Sequence, residues 1–567
     1  MNKSSYFILA FILVLAIFLR IFRLDQVPSS LFGDEVDVGY QAYSILHTGK
    51  DLAGNFLPVY FRSLSEYRTP LYLYSAVPFV AVFGLNEWGI RLPAVFWGLV
   101  SIIGIFLLTR KLYGDRVGII AAFLMAISPW HLQYSRASFE VTMLLTFIIF
   151  GIYFFLKEKK YLFFLILSLI FFGLSIYIYS TAIIFSPLIL GLLVFLNYKD
   201  LIKRKTKLLL PLIIITIIIL PAVWFVFKGA ASERFGSVSI FRDSVLDDKI
   251  NLARKSQEFI TTEGRITSNN PSMERIFHNK PTVYAQVFTT NYLKAFSLDF
   301  LFANGDINFR HSIHEMGELY YFELILLSLG LLYLIKNESL KTKTLIFAWL
   351  LLAPVPASLT SDGGYHATRL ILMLPPLIII NSLGALLILN NLKRNYVKAL
   401  LTVVVILFAF NFIFYIHRYF VHYPVESWRW WHSGFKEAML YMKDNEENYS
   451  KLVFNNTYEP VFIRFLTWWQ FPPEQLHLNY SDILKNYEVL PGIEGFRFKD
   501  KYYFGSAKDK VGVNEVVKGD MMYLVSARDE VPGDWDWEKN PPSGIKVLKT
   551  IRNPEGLPIF FVVTAND

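Results

Sequence analysis

The chain has no cysteine among its 567 residues. Disulfides and thiolate metal sites are therefore excluded, although large parts of the chain are expected outside the cytosol. Charge is sparse as well: Asp, Glu, Lys and Arg make up 18% of the residues, against 54% that are hydrophobic. A mean hydropathy of +0.40 is far too apolar for an ordinary soluble protein, and apolar runs of spanning length recur along the chain. Internal repeats and low-complexity tracts are absent. So is any ligand spacing such as HExxH, because His417, His422 and His432 are scattered. No metal site is read from the sequence, and no cofactor is expected. The net charge of +9 does not mark a nucleic-acid patch, since Lys and Arg gather in short loops between apolar runs. No nucleic-acid partner is expected.

What is abundant is aromatic and aliphatic. The 51 Phe and 32 Tyr suit lipid-facing spans and interfacial belts. About eleven spanning helices, each needing roughly 20 apolar residues, are expected. They run over Tyr6–Arg20, Trp88–Leu108, Val117–Tyr134, Phe139–Leu156, Tyr161–Tyr179 and Ala182–Phe195. Leu208–Phe227, Leu319–Ile335, Leu345–Leu359, Leu370–Leu389 and Val397–Ile416 follow. The segment Lys3–Arg20 resembles a signal sequence without a small-residue cleavage site, and reads as an uncleaved first span.

Alternate loops are basic: Arg110, Lys111 and Arg116; Lys157, Lys159 and Lys160; Lys199, Lys203, Arg204, Lys205 and Lys207. Lys336, Lys341 and Lys343, then Lys393, Arg394 and Lys398, continue the series. The positive-inside rule puts the amino terminus inside and the carboxyl terminus outside. Leu71–Leu85 is apolar but short and holds Pro78, so it reads as an interfacial amphipathic element rather than a span. Three regions then share the outer face: Leu24–Glu87, Lys228–Glu318 and Arg418–Asp567. The expected fold is mainly α: a polytopic membrane helical bundle over residues 1–417, with a small α/β domain outside the membrane over 418–567. In that tail LVFNN, FRFKDKYYF, MMYLVSA, IKVLKTI and PIFFVVT read as strands, NPEG as a hairpin turn and PVFIRFLTWW as a helix.

The first outer loop reads SSLFGDEVDVGYQAYSILHTGKD. As a helix it would put Asp34, Asp37, Gln41 and Ser44 on one face and Val38, Ala42 and Ile45 on another. Two readings stand for Asp34. It is an N-cap, with Asp37 completing a box-like pair, or it is a carboxylate held near the membrane surface as a general base, kept ionised by a cation. Cations are available on the same expected face: Arg62 and Arg68, Arg136 beside Glu140, Arg310 and His311, and His366 with Arg369. Singly, each reads as an interfacial snorkelling group. Together they suit a phosphate at headgroup depth.

The acidic pair Asp34–Glu35, followed by YRTPLYLY and WGIRLPAVFWGL, resembles the GT-C superfamily of membrane glycosyltransferases. The similarity is to the protein O-mannosyltransferase and aminoarabinose-transferase relatives, including the bacterial branch that uses polyprenyl-phosphate sugars. NYLKAFSLDFLFANGDINFRH, ELYYFELILLSLGLLYL and HATRLILMLPPL resemble segments of that branch, so the likeness covers about residues 1–415 and thins out in the tail. It implies that Asp34 is the base that deprotonates the acceptor and that Glu35 positions substrate. Arg68 falls where relatives carry a basic residue before Pro-Pro-Leu, implied to contact the carrier phosphate. Here Thr69 replaces the first proline, and Arg the usual Lys or His. Arg136, His366, Arg369, Arg310 and His311 are further candidates for the phosphate. WRWW at Trp428–Trp431 lacks the Asp of the oligosaccharyltransferase motif, which His432 replaces, and reads as an interfacial anchor.

The function so read is inverting transfer of a sugar from a polyprenyl-phosphate carrier to a glycan, lipid or protein acceptor. It would take place at the outer face of the plasma membrane. The rivals are a lipid-linked-sugar transporter or flippase, a glycan polymerase or ligase, and a scaffold without activity. Transporters commonly show internal repeats and polar mid-membrane helices, whereas TMLLTFIIFGIYFF and its neighbours are nearly free of charge.

Overall fold

The structure is a computed structural model. It describes residues 3–566 except 65–66, 158–161, 204–206, 228–238, 256–258, 262–263, 267–275, 277, 459, 508–511 and 532–534. Lys159, Lys160, Arg204 and Lys205 of the basic loops therefore lie outside the described residues. The chain divides into two compact units. The first comprises Met1–Arg20, Phe96–Ser135 and Glu140–Ile416; the second comprises Ile21–Val95, Arg136–Phe139 and His417–Asp567.

Each apolar run read as a span carries helix among its described residues. Lys3–Ile21, Glu87–Tyr113, Val141–Lys157, Leu162–Ser175, Ala182–Ile202 and Leu209–Phe227 lie in the amino-terminal half. Tyr321–Asn337, Leu340–Leu352, Leu374–Asn390 and Asn395–His417 follow. Among the described residues, six helices are long and apolar enough to cross a membrane by length and composition. The run Val117–Tyr134 departs from expectation. It is two helices, Asp115–Ile127 and Pro129–Tyr134. Ser128, held extended by the following proline at ψ 128°, breaks the turn, and its hydroxyl caps His131 N at 3.4 Å.

Within the first unit, Tyr321–Asn337 and Leu374–Asn390 pack backbone to backbone. A Cβ on Gly330 would collide with the Ile380 carbonyl, and one on Gly384 with that of Leu326, the small-residue contact by which helices in lipid approach closely. Arg20 is fully buried here. It donates to Ala16 O and Ala126 O at 3.0 and 3.1 Å and meets His131 Nδ1 at 2.6 Å. His131 Nε2 in turn meets Ser101 Oγ at 2.8 Å. A cation enclosed among apolar helices must be satisfied by such partners.

The second unit holds a sheet of seven strands from the tail. In spatial order they are Ile545–Arg552, Pro558–Ala565, Met521–Ser526, Lys451–Asn455, Tyr502–Ala507, Ile493–Phe498 and Tyr487–Leu490. Lys451–Asn455 runs parallel to both its neighbours, and all other pairs are antiparallel. A parallel pair needs a long crossover, and the helices Phe462–Trp469 and Pro473–Leu478 lie within it. LVFNN, MMYLVSA, IKVLKTI, PIFFVVT, the NPEG turn and the PVFIRFLTWW helix fall where the sequence pattern puts them, whereas FRFKDKYYF is the meeting of two antiparallel strands, Ile493–Phe498 and Tyr502–Ala507, and Tyr487–Leu490 is a strand that the pattern did not mark.

The same unit contains the loop that follows the first helix. Its helix, Gly33–Thr48, opens with Asp34 and Glu35 in the first turn, where carboxylates oppose the helix dipole, and ends on Gly49 at φ 69°. The tail grips this loop directly. Tyr40 Oη donates to Phe471 O at 2.9 Å, Arg464 Nη1 to Leu31 O at 3.3 Å and Thr467 Oγ1 to Val36 O at 3.4 Å. The stretch Leu71–Leu85 is the helix Pro70–Phe83, with Tyr72, Leu73, Ala76 and Val80 buried and Val82 and Phe83 exposed. Trp431, read as an interfacial anchor, is instead completely buried. Its Nε1 donates to Tyr423 Oη at 2.8 Å and its ring meets that of Phe32 edge-on at 5.3 Å.

Candidate active site

The first two-stranded sheet sets the geometry of the acidic helix. Phe61–Arg62 pairs antiparallel with Tyr67–Arg68, so that Phe61 faces Arg68. Pro70 then starts the next helix within its first turn, where a proline costs no hydrogen bond. Arg68 is thereby fixed at a strand–helix junction with its side chain only 5% exposed.

Its guanidinium serves two carboxylates. Nε meets Asp37 Oδ2 at 2.8 Å, and Nη2 donates to Asp34 Oδ1. The two acids stand one turn apart on one helix face, yet their settings differ. Asp37 is 5% exposed and Asp34 is 48% exposed. Burial pushes the Asp37 carboxyl above its usual range, the Asp34 carboxylate adds to that, and Arg68 opposes both. Gln41, one turn further along, anchors the loop by donating to Arg62 O at 3.0 Å and accepting from Leu52 N at 2.9 Å.

Phe32, not Asp34, occupies the cap position of this helix. Glu35 turns the other way. It is wholly buried and forms a two-pronged ion pair with Arg91, Nε to Oε1 at 3.0 Å and Nη2 to Oε2 at 3.2 Å. Ser138 N donates to the same Oε1 at 2.9 Å and Phe32 N to Oε2 at 3.4 Å. Arg91 also donates to Leu24 O, Pro28 O and Ser30 O, and its guanidinium lies over the Trp431 ring at 5.9 Å. Arg136 is buried as well, donating to Phe22 O at 2.8 Å and Val27 O at 2.9 Å, with its guanidinium over Tyr419 and Phe420. The second unit thus brings together Asp34, Glu35, Arg68 and Arg136. It commits Glu35, Arg91 and Arg136 to holding the loop and leaves Asp34 as the carboxylate that faces outward.

The remaining sequence candidates lie in the first unit, where they make a second cluster. Arg310 is half-buried, and its carbonyl accepts from Gln133 Nε2 at 2.8 Å. Arg369 donates to Thr360 Oγ1 at 2.7 Å and pairs with Asp362. The His311 and His366 rings lie 4.9 Å apart. Asp306 stands beside them, its carboxylate accepting from Asn308 N and Ala367 N, each at 2.8 Å. Burial, chiefly, pushes Asp306 up to about 6, and burial together with Asp306 pushes Glu318 well above the usual range. Sequence reasoning missed Arg91, Asp306 and the anchoring role of Asp37. Arg91 carried a signal, since a cation at the start of an apolar helix needs a partner. Asp306 carried none, because its neighbours come from chain segments far apart.

Residues 67–225 match the family model described as dolichyl-phosphate-mannose-protein mannosyltransferase, in keeping with the resemblance carried by YRTPLYLY. No curated protein matches the chain in sequence. Among solved structures, ArnT from Cupriavidus metallidurans bound to undecaprenyl phosphate is 11% identical, with a TM-score of 0.49 over 99% of this chain and 98% of that one. The archaeal oligosaccharyltransferase AglB from Archaeoglobus fulgidus, in complex with an inhibitory peptide and a dolichol-phosphate, is 13% identical. Its TM-score is 0.47 over 82% of this chain and 63% of that one.

Proposed function

We propose that this membrane protein is a glycosyltransferase that moves a sugar from a polyprenyl-phosphate carrier to an acceptor at the outer membrane face, with inversion. The observation that carries this reading is the division of labour around Arg68. Asp34 is the outward-facing carboxylate of the cluster and shares a guanidinium with buried Asp37. The family-model match, which begins at residue 67, supports a lipid-phosphate sugar as the donor class.

In the proposed step the acceptor hydroxyl or amine attacks the anomeric carbon and gives its proton to Asp34. The new bond to the acceptor forms as the bond from the anomeric carbon to the phosphate oxygen breaks, and the lipid phosphate leaves with that electron pair. A phosphate is a good leaving group and needs no acid. Arg68 meets its growing charge, and preorganised charge of this kind is usually the largest catalytic contribution. Glu35–Arg91 and Arg136 keep the loop in register. The tail, bonded to the first loop through Tyr40, Thr467 and Arg464, would shape access for a glycan, lipid or protein acceptor. The multi-pass plasma membrane location and the outward site follow the charge of the loops.

The test is turnover of a synthetic polyprenyl-phosphate sugar by the purified chain. Hydrolysis or transfer of single sugars supports the reading. Movement of intact lipid-linked sugar across vesicles without bond cleavage would replace it with a flippase, and transfer of whole chains alone with a ligase.

A further inference from the structure

We propose that Asp306, His311 and His366 form a binding site for one divalent transition-metal ion of the zinc class. One ligand atom from each lies within 4.8 Å of the others. Two imidazole nitrogens and a carboxylate oxygen are a donor set that zinc and its neighbours favour, with the fourth position left to water. In a tetrahedral zinc site the donors stand about 3.4 Å apart, so the three side chains would draw closer around an ion.

The surroundings are those of ligands already held in place. Metal-binding imidazoles generally engage their second nitrogen elsewhere, which fixes the ring and the tautomer. His311 does so: Nδ1 lies 3.0 Å from Thr368 Oγ1, and that hydroxyl lies 2.8 Å from Tyr134 Oη. The ring also stacks on Tyr134 at 6.0 Å and 23°. The Asp306 carboxylate is oriented by two backbone N–H groups, Asn308 and Ala367. Glu318, fully enclosed, adjoins through its contact with Asp306 N at 3.3 Å. Arg369 also acts on Asp306, but its own guanidinium is paired with Asp362. An ion here would tie the segment 306–318 to the segment 360–369, both within the first unit.

The site goes beyond the transfer reaction and is tested apart from it. A metal-ligating imidazole is neutral, so His311 and His366 would act as ligands and not as cations for a phosphate. The full chain, purified in detergent without a histidine tag and stripped with chelator, is titrated with zinc chloride by calorimetry. Its metal content is read by mass spectrometry with no sugar donor present. We expect one equivalent bound, lost in His366→Gln and His311→Gln and weakened about tenfold in Thr368→Val. It should be unchanged in His422→Gln, which controls for the His417–His422 pair at 4.9 Å. Cobalt loading of the unaltered chain gives a readout that needs no variant, because nitrogen ligation in a four-coordinate site intensifies and shifts its visible absorption. Absence of a bound equivalent, zinc binding undiminished in His366→Gln, or a spectrum of hydrated cobalt would each overturn the assignment.

Discussion

Arg68 and Asp37 are joined by a 2.8 Å ion pair in which each side chain is 5% exposed, while the same guanidinium extends to Asp34 at 48% exposure. One cation is thus anchored on a buried acid and presented to an accessible one. That asymmetry separates two carboxylates that look alike in the sequence, and it fixes which substitution should report on chemistry.

Asp34→Asn should abolish turnover while leaving expression and thermal stability close to those of the unaltered chain. The amide cannot take a proton, and Phe32 rather than Asp34 holds the cap position, so little stability is at stake. Turnover of polyprenyl-phosphate sugar and a melting curve on the same preparation check this. Near-normal turnover would remove the base role from Asp34.

Glu35 and Arg91 should behave as framework. Both side chains are completely enclosed, and removing one partner of a buried pair leaves an uncompensated charge at a cost of roughly 3–5 kcal/mol. Arg91→Ala or Glu35→Ala should therefore lower the melting temperature and the yield of folded protein. A double variant with both groups replaced by apolar residues should recover part of the loss, as a double-mutant cycle would read. Single variants of normal stability but no activity would argue for a direct role of Glu35 instead.

Arg68→Ala should weaken use of the lipid donor, whereas Arg68→Lys should keep part of it, because charge survives and the planar fork does not. Nucleotide sugars should not replace the lipid donor in either background. Unchanged donor affinity in Arg68→Ala would leave Arg68 as a purely structural clamp for Asp34 and Asp37.

The tail carries a pH-dependent contribution. Burial pushes the Glu530 carboxyl from 4.5 up to about 7, against hydrogen bonds from Tyr523 Oη and Ser526 N. A folded-state value above the unfolded one means that the protonated form favours the fold. The contribution is fully present below about pH 4.5 and is lost as pH rises towards 7, by on the order of 3 kcal/mol. Thermal unfolding of the full chain across this range should show the decline. Glu530→Gln, which stays neutral, should flatten it; an unaltered slope would point to other groups.

Orientation is checked by fusion. A reporter after Asp567, or near Asn269, which lies outside the described residues, should be active only on the outer side. One within Lys199–Lys207 should behave as cytosolic. A carboxyl terminus facing inward would reverse the assignment of every loop.

Much of this protein could be read directly from its residues, for a physical reason. Membrane-length helices are written locally, because a run of about 20 apolar residues must satisfy its own backbone in lipid whatever surrounds it. The tail strands are equally local, since alternating β-branched and aromatic residues punctuated by NPEG specify a hairpin through nearest neighbours. The Ser128–Pro129 break was legible in the proline and was outweighed by the hydrophobicity around it. Even the acidic motif stood out, as two adjacent carboxylates at the start of a helix.

What each carboxylate does was not local. Asp34, Glu35 and Asp37 share about one turn of helix, and nothing in their spacing says which is enclosed. The answer depends on Arg68, Arg91 and Ser138, which lie 34, 56 and 103 residues from their partners. It also depends on Trp431, whose ring packs on Phe32 from the far end of the chain. The same holds for Asp306, His311 and His366, which show no motif because two loops supply them. Residue type determined that charges would gather outside apolar helices. Only the tertiary structure decided which charge is left facing outward, because burial and pairing are properties of neighbours in space.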